Sequence, residues 1–387
     1  MPEVDLGGWP VSYELAGPKR APLLVLVGSL GTASTVWDHQ MPALSAWFRV
    51  LRVEHPGHGG AGAPRGPYTI EALGGVLVRL LDALGAGRVC FAGLSLGGLI
   101  GMWLASKHPQ RVERLALCCS APRFEPPETW LRRAGRTRAE GTQWLVDASL
   151  GKWFTPQYLG EHPDVASQYS SALSRVDREG YASCCEALAA ADLWPALARI
   201  ETPTLVLGGA SDPVVPPELA SATMKAIPGA TLCVLSPGAH MVNVERADAF
   251  NQALLQHLTG GPQARGLAVR QAVLGAAHVE SALAGASELT APFQDLLTRW
   301  PWGEVWARPG LDRQTRRLIT IAMLVALGHS KELELHMRQA LRDGLSTSVL
   351  REVLLQTAVY AGVPAANSAF AIAERALAQI TEDPDDP

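Results

Sequence analysis

The chain predicts two domains of different class: a mostly parallel, doubly wound α/β sheet with a helical cap over residues 1–259, then a smaller all-α domain over residues 265–387. Three observations carry this reading. Short apolar runs alternate with helically spaced segments through the first third of the chain, the pattern of strands joined by crossover helices. That alternation lapses between about 123 and 199, where the chain is helical and rich in Trp and Arg, and it resumes at Thr204. Past Gly260 only helical periodicity remains. At 387 residues the chain also exceeds one typical domain.

The first strand is PLLVLVG at 22–28, and the loop SLGT at 29–32 follows it. Residues 35–46 have helical spacing, 48–54 read as the next strand, and HPGHGG at 55–60 as a tight loop. Ile70, Leu73, Leu77, Leu80, Leu81 and Leu84 recur at helical intervals, which predicts a helix over 68–84. The stretch GRVCFAGLSLGGLIG at 87–101 reads as strand, sharp turn and helix, and 112–119 as a further strand. The cap over 123–199 comes next. Strands are then expected at 204–209 and 231–235, closed by an amphipathic helix at 244–258. TGGPQ at 259–263 reads as a hinge. Helices over 312–327, 330–343, 347–360 and 365–380 build the second domain, with Gly328, Gly344 and Gly362 as helix-ending residues. The acidic tail TEDPDDP reads as frayed.

Composition narrows the partners. A hydrophobic content of 48% with 18% charged residues describes a globular protein with large cores. A net charge of −4 gives no case for nucleic acid or an anionic membrane. The apolar runs are too short to span a bilayer, and MPEVDLGGWPVS has no basic segment or apolar core of the secretory kind. All six cysteines precede residue 240 and none forms a CxxC, so reduced cytoplasmic thiols are expected. The adjacent pairs Cys118-Cys119 and Cys184-Cys185 read as packing residues.

The chemistry centres on GLSLG at 93–97. A G-x-S-x-G turn between a strand and a helix is the setting of a nucleophile elbow, which lifts Ser95 clear of the sheet. A serine hydroxyl is a weak nucleophile until a base takes its proton. The expected chain order is serine, acid, histidine. Asp212 follows the strand TLVLGG, and His240 follows the last strand. Both lie at carboxyl ends of strands, where open α/β sheets bind ligands. His240 is then general base and acid, and Asp212 fixes its tautomer. An oxyanion needs two fixed N–H donors; Leu96 and Leu30 are the candidates. His58 and His108 read as structural.

Residues 10–258 resemble the 3-oxoadipate enol-lactonases of the α/β hydrolase superfamily. SLGT at Ser29, GPYTIEALG at Gly66, GLSLGG at Gly93, GYASCCEALAAADL at Gly180, SDPVVPP at Ser211 and AHMVNVE at Ala239 carry the resemblance. Gly28 departs from it, where an asparagine is usual. Residues 265–380 resemble carboxymuconolactone decarboxylases, through WPWGEVWARPGL at Trp300, RRLITIAMLVAL at Arg316, ELELHMRQAL at Glu332 and VLLQTAVYAGVPAANSAF at Val353.

Together these resemblances imply an α/β hydrolase fold followed by an all-α decarboxylase domain. They also imply a bifunctional enzyme of the protocatechuate branch of the β-ketoadipate pathway. Decarboxylation of 4-carboxymuconolactone would yield the enol-lactone that Ser95 hydrolyses. Small-molecule lactones are the expected ligands, and self-association through the helical domain the expected assembly. In the cap, Trp130 and Arg133 share a helix face and Trp153 follows. Arg133, with Arg132 as competitor, is expected to hold the lactone's carboxylate.

In the second domain His329, Glu332 and His336 fall at i, i+3 and i+7, and can share one face of a helix. Related peroxidase domains carry cysteines there; this domain has none, which excludes thiol chemistry. The spacing matches no catalytic metal set, so neither metal nor cofactor is expected. Electrons left by departing CO₂ delocalise onto the lactone carbonyl without one. His336, titrating near neutrality and oriented by Glu332, is expected to return the proton. Arg308, Arg313, Arg316 and Arg317 are candidates for a guanidinium clamp, His329 for a further substrate contact. Trp300, Trp302 and Trp306 read equally as core or pocket wall. A competing reading makes residues 265–387 a catalytically silent assembly module on a general esterase or lactonase. A dehalogenase would need an aspartate where Ser95 stands.

Overall fold

A computed structural model describes residues 2–382 apart from Glu125 and Pro309. Its contacts divide the chain into two compact units, Met1–Leu258 and Thr259–Pro387.

The first unit is built on one eight-stranded sheet. Its strands are β1 (Glu3–Asp5), β2 (Pro10–Ala16), β3 (Leu23–Val27), β4 (Arg49–Val53), β5 (Val89–Leu94), β6 (Val112–Cys118), β7 (Thr204–Gly209) and β8 (Thr231–Leu235), in the order β1-β2-β4-β3-β5-β6-β7-β8. All neighbours from β4 to β8 pair in parallel. β1 and β2 form an antiparallel edge that the sequence did not suggest. PVSYELA is mostly half-buried and mixes polar with apolar residues, so it lacks the unbroken apolar run that marked the central strands. β5 is buried at all six positions, as a strand covered on both faces must be.

Short helices do the positioning. Thr69 caps Ile70–Ala83, its Oγ1 accepting from the Ala72 N–H at 3.0 Å. Leu96–Lys107 runs beneath the sheet, buried at every residue from Leu96 to Ala105. The helix expected over 35–46 is instead a 3₁₀ segment, Ser34–Gln40, running into a single α-turn, Met41–Leu44. The cap lies between β6 and β7 and consists of helices and turns from Pro127–Glu140 to Trp194–Leu197.

The second unit is helical throughout its described residues. Arg313–Leu327, Ser330–Arg342, Thr347–Ala361 and Val363–Glu382 surround a core of Ile321, Val325, Leu333, Met337, Leu350 and Leu354. Before them come Gly261–Leu274, Ala276–Ala284, Ala291–Leu297 and a π-helical stretch, Thr298–Trp306. These four were not legible as elements, because Gly261–Leu274 interleaves its few large apolar residues with Gly, Gln and Arg. Its packing depends on glycine instead. A Cβ on Gly266 would overlap the Thr298 carbonyl, and one on Gly303 the Pro262 carbonyl, so Gly261–Leu274 and Thr298–Trp306 cross with their backbones touching. No helix among the described residues is long and apolar enough to cross a membrane.

Candidate active sites

In the first unit, Ser95 follows β5 at φ 55°, ψ −110° and opens Leu96–Lys107. A left-handed conformation is costly for a residue with a Cβ, and persists only where the surroundings enforce it. Here the Ser95 N–H donates to the Cys118 carbonyl at 2.9 Å, and its carbonyl accepts from Ser120 Oγ at 2.7 Å. Side chains are barred nearby: a Cβ on Gly93 would overlap the Gly97 carbonyl, and one on Gly97 the Val27 carbonyl.

His240 Nδ1 lies 2.9 Å from Asp212 Oδ2, with both side chains buried. Asp212 Oδ1 is occupied by the N–H groups of Val214 and Val215, at 2.8 and 3.0 Å. That leaves Oδ2 to take the imidazole Nδ1–H, which keeps Nε2 unprotonated and able to act as base. Cys119 completes the one group of three among the described residues that could hold a metal ion. Burial, with Asp212 beside it, holds its thiol well above the ordinary value, so it stands as a protonated neighbour of the carboxylate. The His240 loop is tied to the cap. The Met241 N–H donates to the Trp153 carbonyl at 2.7 Å, and Glu245 accepts from the N–H groups of both Ala239 and Thr155.

The N–H groups of Leu30 and Leu96 donate to no acceptor among the described residues, as donors awaiting an oxyanion should. Two histidines hold the Leu30 loop. His55 Nε2 lies 2.8 Å from the Gly28 carbonyl, and the Gly31 N–H donates to His58 Nε2 at 3.0 Å. Accepting at Nε2 obliges His58 to carry its proton on Nδ1, which donates to the Pro56 carbonyl at 2.9 Å. Burial pushes His55 down to about 4 and His58 to about 3, so both are neutral at working pH. His58 is structural, as expected, and it holds the Leu30 loop. His55 gave no sequence signal beyond its glycine-rich loop. His108 packs against Trp103 at 5.2 Å between ring centroids, away from the cavity.

Ser95, His240, Leu30, Trp130, Arg133 and Trp153 line one cavity of about 90 Å³. Arg133 lies over Trp130, 4.6 Å from the ring centroid. Arg132 is exposed and does not line the cavity. Tyr181 also lines the cavity and was not singled out from sequence.

In the second unit, His336 and Glu332 share the wall of a cavity of about 580 Å³ with Arg270, Leu274 and Trp302. His336 is buried, stacks on Trp306 at 6.0 Å, and its Nδ1 has no partner among the described residues. Burial, reinforced by Arg317 and opposed by Glu332, pushes it down to about 4. The imidazole is thus neutral near pH 7 rather than poised there, and Glu332 bonds neither ring nitrogen among the described residues.

The other expected residues lie elsewhere. His329 is exposed at the N-cap of Ser330–Arg342 and outside the cavity. The Arg308 carbonyl accepts from Arg316 at 2.8 Å, and neither side chain lines the cavity. Arg317 is buried against Asp343 at 2.6 Å, and with Arg313 lines a different cavity. Trp302 is core and cavity wall at once, while Trp300 is exposed. The buried guanidinium in the His336 cavity is Arg270, which shares the wall with Lys331 and Arg338 and which sequence reasoning missed. Its one signal was an arginine set between Val269 and Val273 on a helix otherwise hard to discern.

Comparison with known proteins matches each unit to a family. An alpha/beta hydrolase family model matches residues 24–253, and a carboxymuconolactone decarboxylase family model matches residues 291–375. The chain is 36% identical over 244 residues to 3-oxoadipate enol-lactonase 2 of Acinetobacter baylyi, covering 63% of this chain and 91% of that protein. It is 46% identical over 110 residues to 4-carboxymuconolactone decarboxylase of the same organism, covering 28% of this chain and 82% of that one. Among solved structures, the enol-lactonase from Burkholderia xenovorans aligns with a TM-score of 0.65 at 43% identity, over 67% of this chain and 100% of its own.

Proposed function

We propose, on the premise that this chain belongs to the alpha/beta hydrolase family in its first unit and to the carboxymuconolactone decarboxylase family in its second, that it carries out two consecutive reactions on one lactone. The second unit decarboxylates 4-carboxymuconolactone to 3-oxoadipate enol-lactone, and the first hydrolyses that enol-lactone to 3-oxoadipate. The observation that carries this is that a single chain covers most of the length of a relative of each kind. The product of one reaction is the substrate of the other, which gives the fusion its chemical logic.

In the hydrolysis, Ser95 Oγ adds to the lactone carbonyl as His240 Nε2 takes its proton. The N–H groups of Leu30 and Leu96 receive the oxyanion. The ring C–O bond then breaks, and the enol released becomes a ketone. Water, deprotonated by His240, frees Ser95. Arg133, which shares the cavity wall with Lys152, is the cation for the carboxylate of the acyl chain.

In the decarboxylation the substrate carries its own electron sink, the unsaturated lactone. CO₂ leaves, the ring becomes a dienolate, and a proton returns to carbon. His336 is the donor, and its depressed pKa sets the condition. In the empty unit it is neutral; a substrate bearing two carboxylates favours the imidazolium and brings the proton in with it. Glu332 adds to that bias.

The test is to follow purified protein by ultraviolet absorbance with each lactone supplied separately. Consumption of both supports the reading; consumption of enol-lactone alone would make the second unit an assembly module. Self-association fits the apolar groove between Arg313–Leu327 and Thr347–Ala361, where Met323 and Tyr360 are 58% and 83% exposed. We assign the protein to the cytoplasm, in keeping with six unpaired cysteines.

A further inference from the structure

Among the described residues of the second unit two guanidinium groups are buried, and only one of them has a counterion. Arg317 is 5% exposed and pairs with Asp343 at 2.6 Å. Arg270 is 3% exposed and pairs with no carboxylate among the described residues. Its Nη1 donates to Thr298 Oγ1 at 3.1 Å and its Nη2 to Gln294 Oε1 at 2.8 Å, both neutral acceptors. Its Nε is buried with no partner among the described residues. Glu332 and Glu334 stand on the same cavity wall and bond none of its nitrogens.

A buried charge is tolerated when something pairs with it, and is otherwise among the more costly features a fold can hold. Arg270 is held rigidly nonetheless. The close crossing at Gly266 and Gly303 fixes its helix against Thr298, and the two neutral acceptors fix its fork. It faces the cavity that contains His336, beside the apolar Leu274, Leu297 and Trp302. A fixed cation, an apolar wall and an acid in one cavity describe a ligand with an anion, a ring and a protonated carbon.

We infer that Arg270 binds the carboxylate that the substrate keeps, making the second unit selective for lactones that bear a carboxylate arm besides the one they lose. This rests on the decarboxylase reading of that unit. The departing carboxylate is a poor choice for the same cation. A guanidinium on it would stabilise charge that must leave it, holding the ground state more strongly than the transition state. On the retained arm the contact is equal in both states, so it acts on binding. Thr298 and Gln294 each take one N–H of an Nη group, which leaves one N–H on each Nη for a carboxylate. Arg270 also lies outside the stretch that matches the family model, on the helix that precedes it.

The test is Arg270→Gln, with Arg270→Lys beside it. Losing one partner of a desolvated charge pair should raise KM for 4-carboxymuconolactone on the order of 10²-fold, with kcat within about threefold of the parent. Lysine should recover part of the loss. For a substrate whose acetate arm is a methyl ester, parent and Arg270→Gln should show equal kcat/KM. The thermal transition of the second unit should hold or rise in Arg270→Gln, because an unpaired buried cation is removed. A fall in kcat at constant KM, unchanged KM, or a discrimination against the ester that survives in Arg270→Gln would each overturn the assignment.

Binding is read without turnover by calorimetric titration of the saturated lactone, which cannot lose its carboxylate, into Ser95→Ala and into Ser95→Ala with Arg270→Gln. Weaker binding in the latter alongside a parent that fails to decarboxylate would keep the subsite and discard the reaction. Equal binding in both would discard the subsite.

Discussion

The two histidines proposed as catalytic are held in opposite ways. His240 has its Nδ1 fixed on Asp212 at 2.9 Å, and Asp212 is itself fixed by two backbone N–H groups. His336 has a buried Nδ1 with no partner among the described residues, and burial pushes it down to about 4. The difference follows the chemistry. A hydrolase must have its base ready before the lactone arrives, so the acid that orients it is built into the fold. A decarboxylase whose substrate arrives as a dianion can leave its acid incomplete, because the substrate supplies the missing charge. The cations do not share the contrast: Arg133 and Arg270 each line a cavity with no carboxylate bound to them among the described residues.

Replacing Asp212 with Asn is the sharpest way to break the first half of this contrast. The geometry survives, but the amide favours the wrong imidazole tautomer, and kcat for enol-lactone hydrolysis should fall about 10⁴-fold. Decarboxylation by the same chain should be unchanged. A loss below tenfold would mean that Asp212 only caps its turn.

His336→Gln tests the other half and should lower decarboxylase kcat by about 10²–10⁴-fold while sparing hydrolysis. The pH profile of the parent sharpens the point. The folded pKa is depressed to about 4, so the protonated fraction of the empty unit falls as pH rises through 4 and is small at neutrality. Bound substrate raises that pKa, so the apparent pKa in kcat should lie above the one in kcat/KM. Coincident values would show that the substrate's charge does not reach His336.

How much of this was legible depended on whether a residue's role lay in local pattern. The elbow at Ser95 is strand, glycine turn and helix within fifteen residues, and Asp212 and His240 follow recognisable strands. Trp130 and Arg133 could be placed on one cap helix face by their spacing, with Trp153 following later in the cap, and all three line the cavity. Arg270 was not legible. Its place depends on two glycines some forty residues apart that let backbones touch, and glycine contact leaves no periodic signal. His55 and His58 hold the oxyanion loop from a turn whose glycines drew the reading toward shape. The mispositioned arginines show the reverse: Arg317 sits in a strong motif, yet Asp343 takes its charge.

The smallest expected effect concerns that glycine crossing. Gly266→Ala forces a methyl group into the Thr298 carbonyl, and should cost the second unit about 1–3 kcal/mol of stability. Calorimetry should show the loss in one transition only, with KM for 4-carboxymuconolactone rising as Arg270 shifts. An unchanged melting profile would place the tight approach elsewhere.

The central claim is that two separate sites in one chain act in sequence on one lactone, and Ser95→Ala tests it most directly. Given 4-carboxymuconolactone, this variant should release CO₂ at the parent rate. Enol-lactone should accumulate in stoichiometric amount, with hydrolysis reduced on the order of 10⁵–10⁶-fold. Formation of 3-oxoadipate near the parent rate would contradict the assignment of Ser95. Loss of CO₂ release along with hydrolysis would contradict the independence of the two sites.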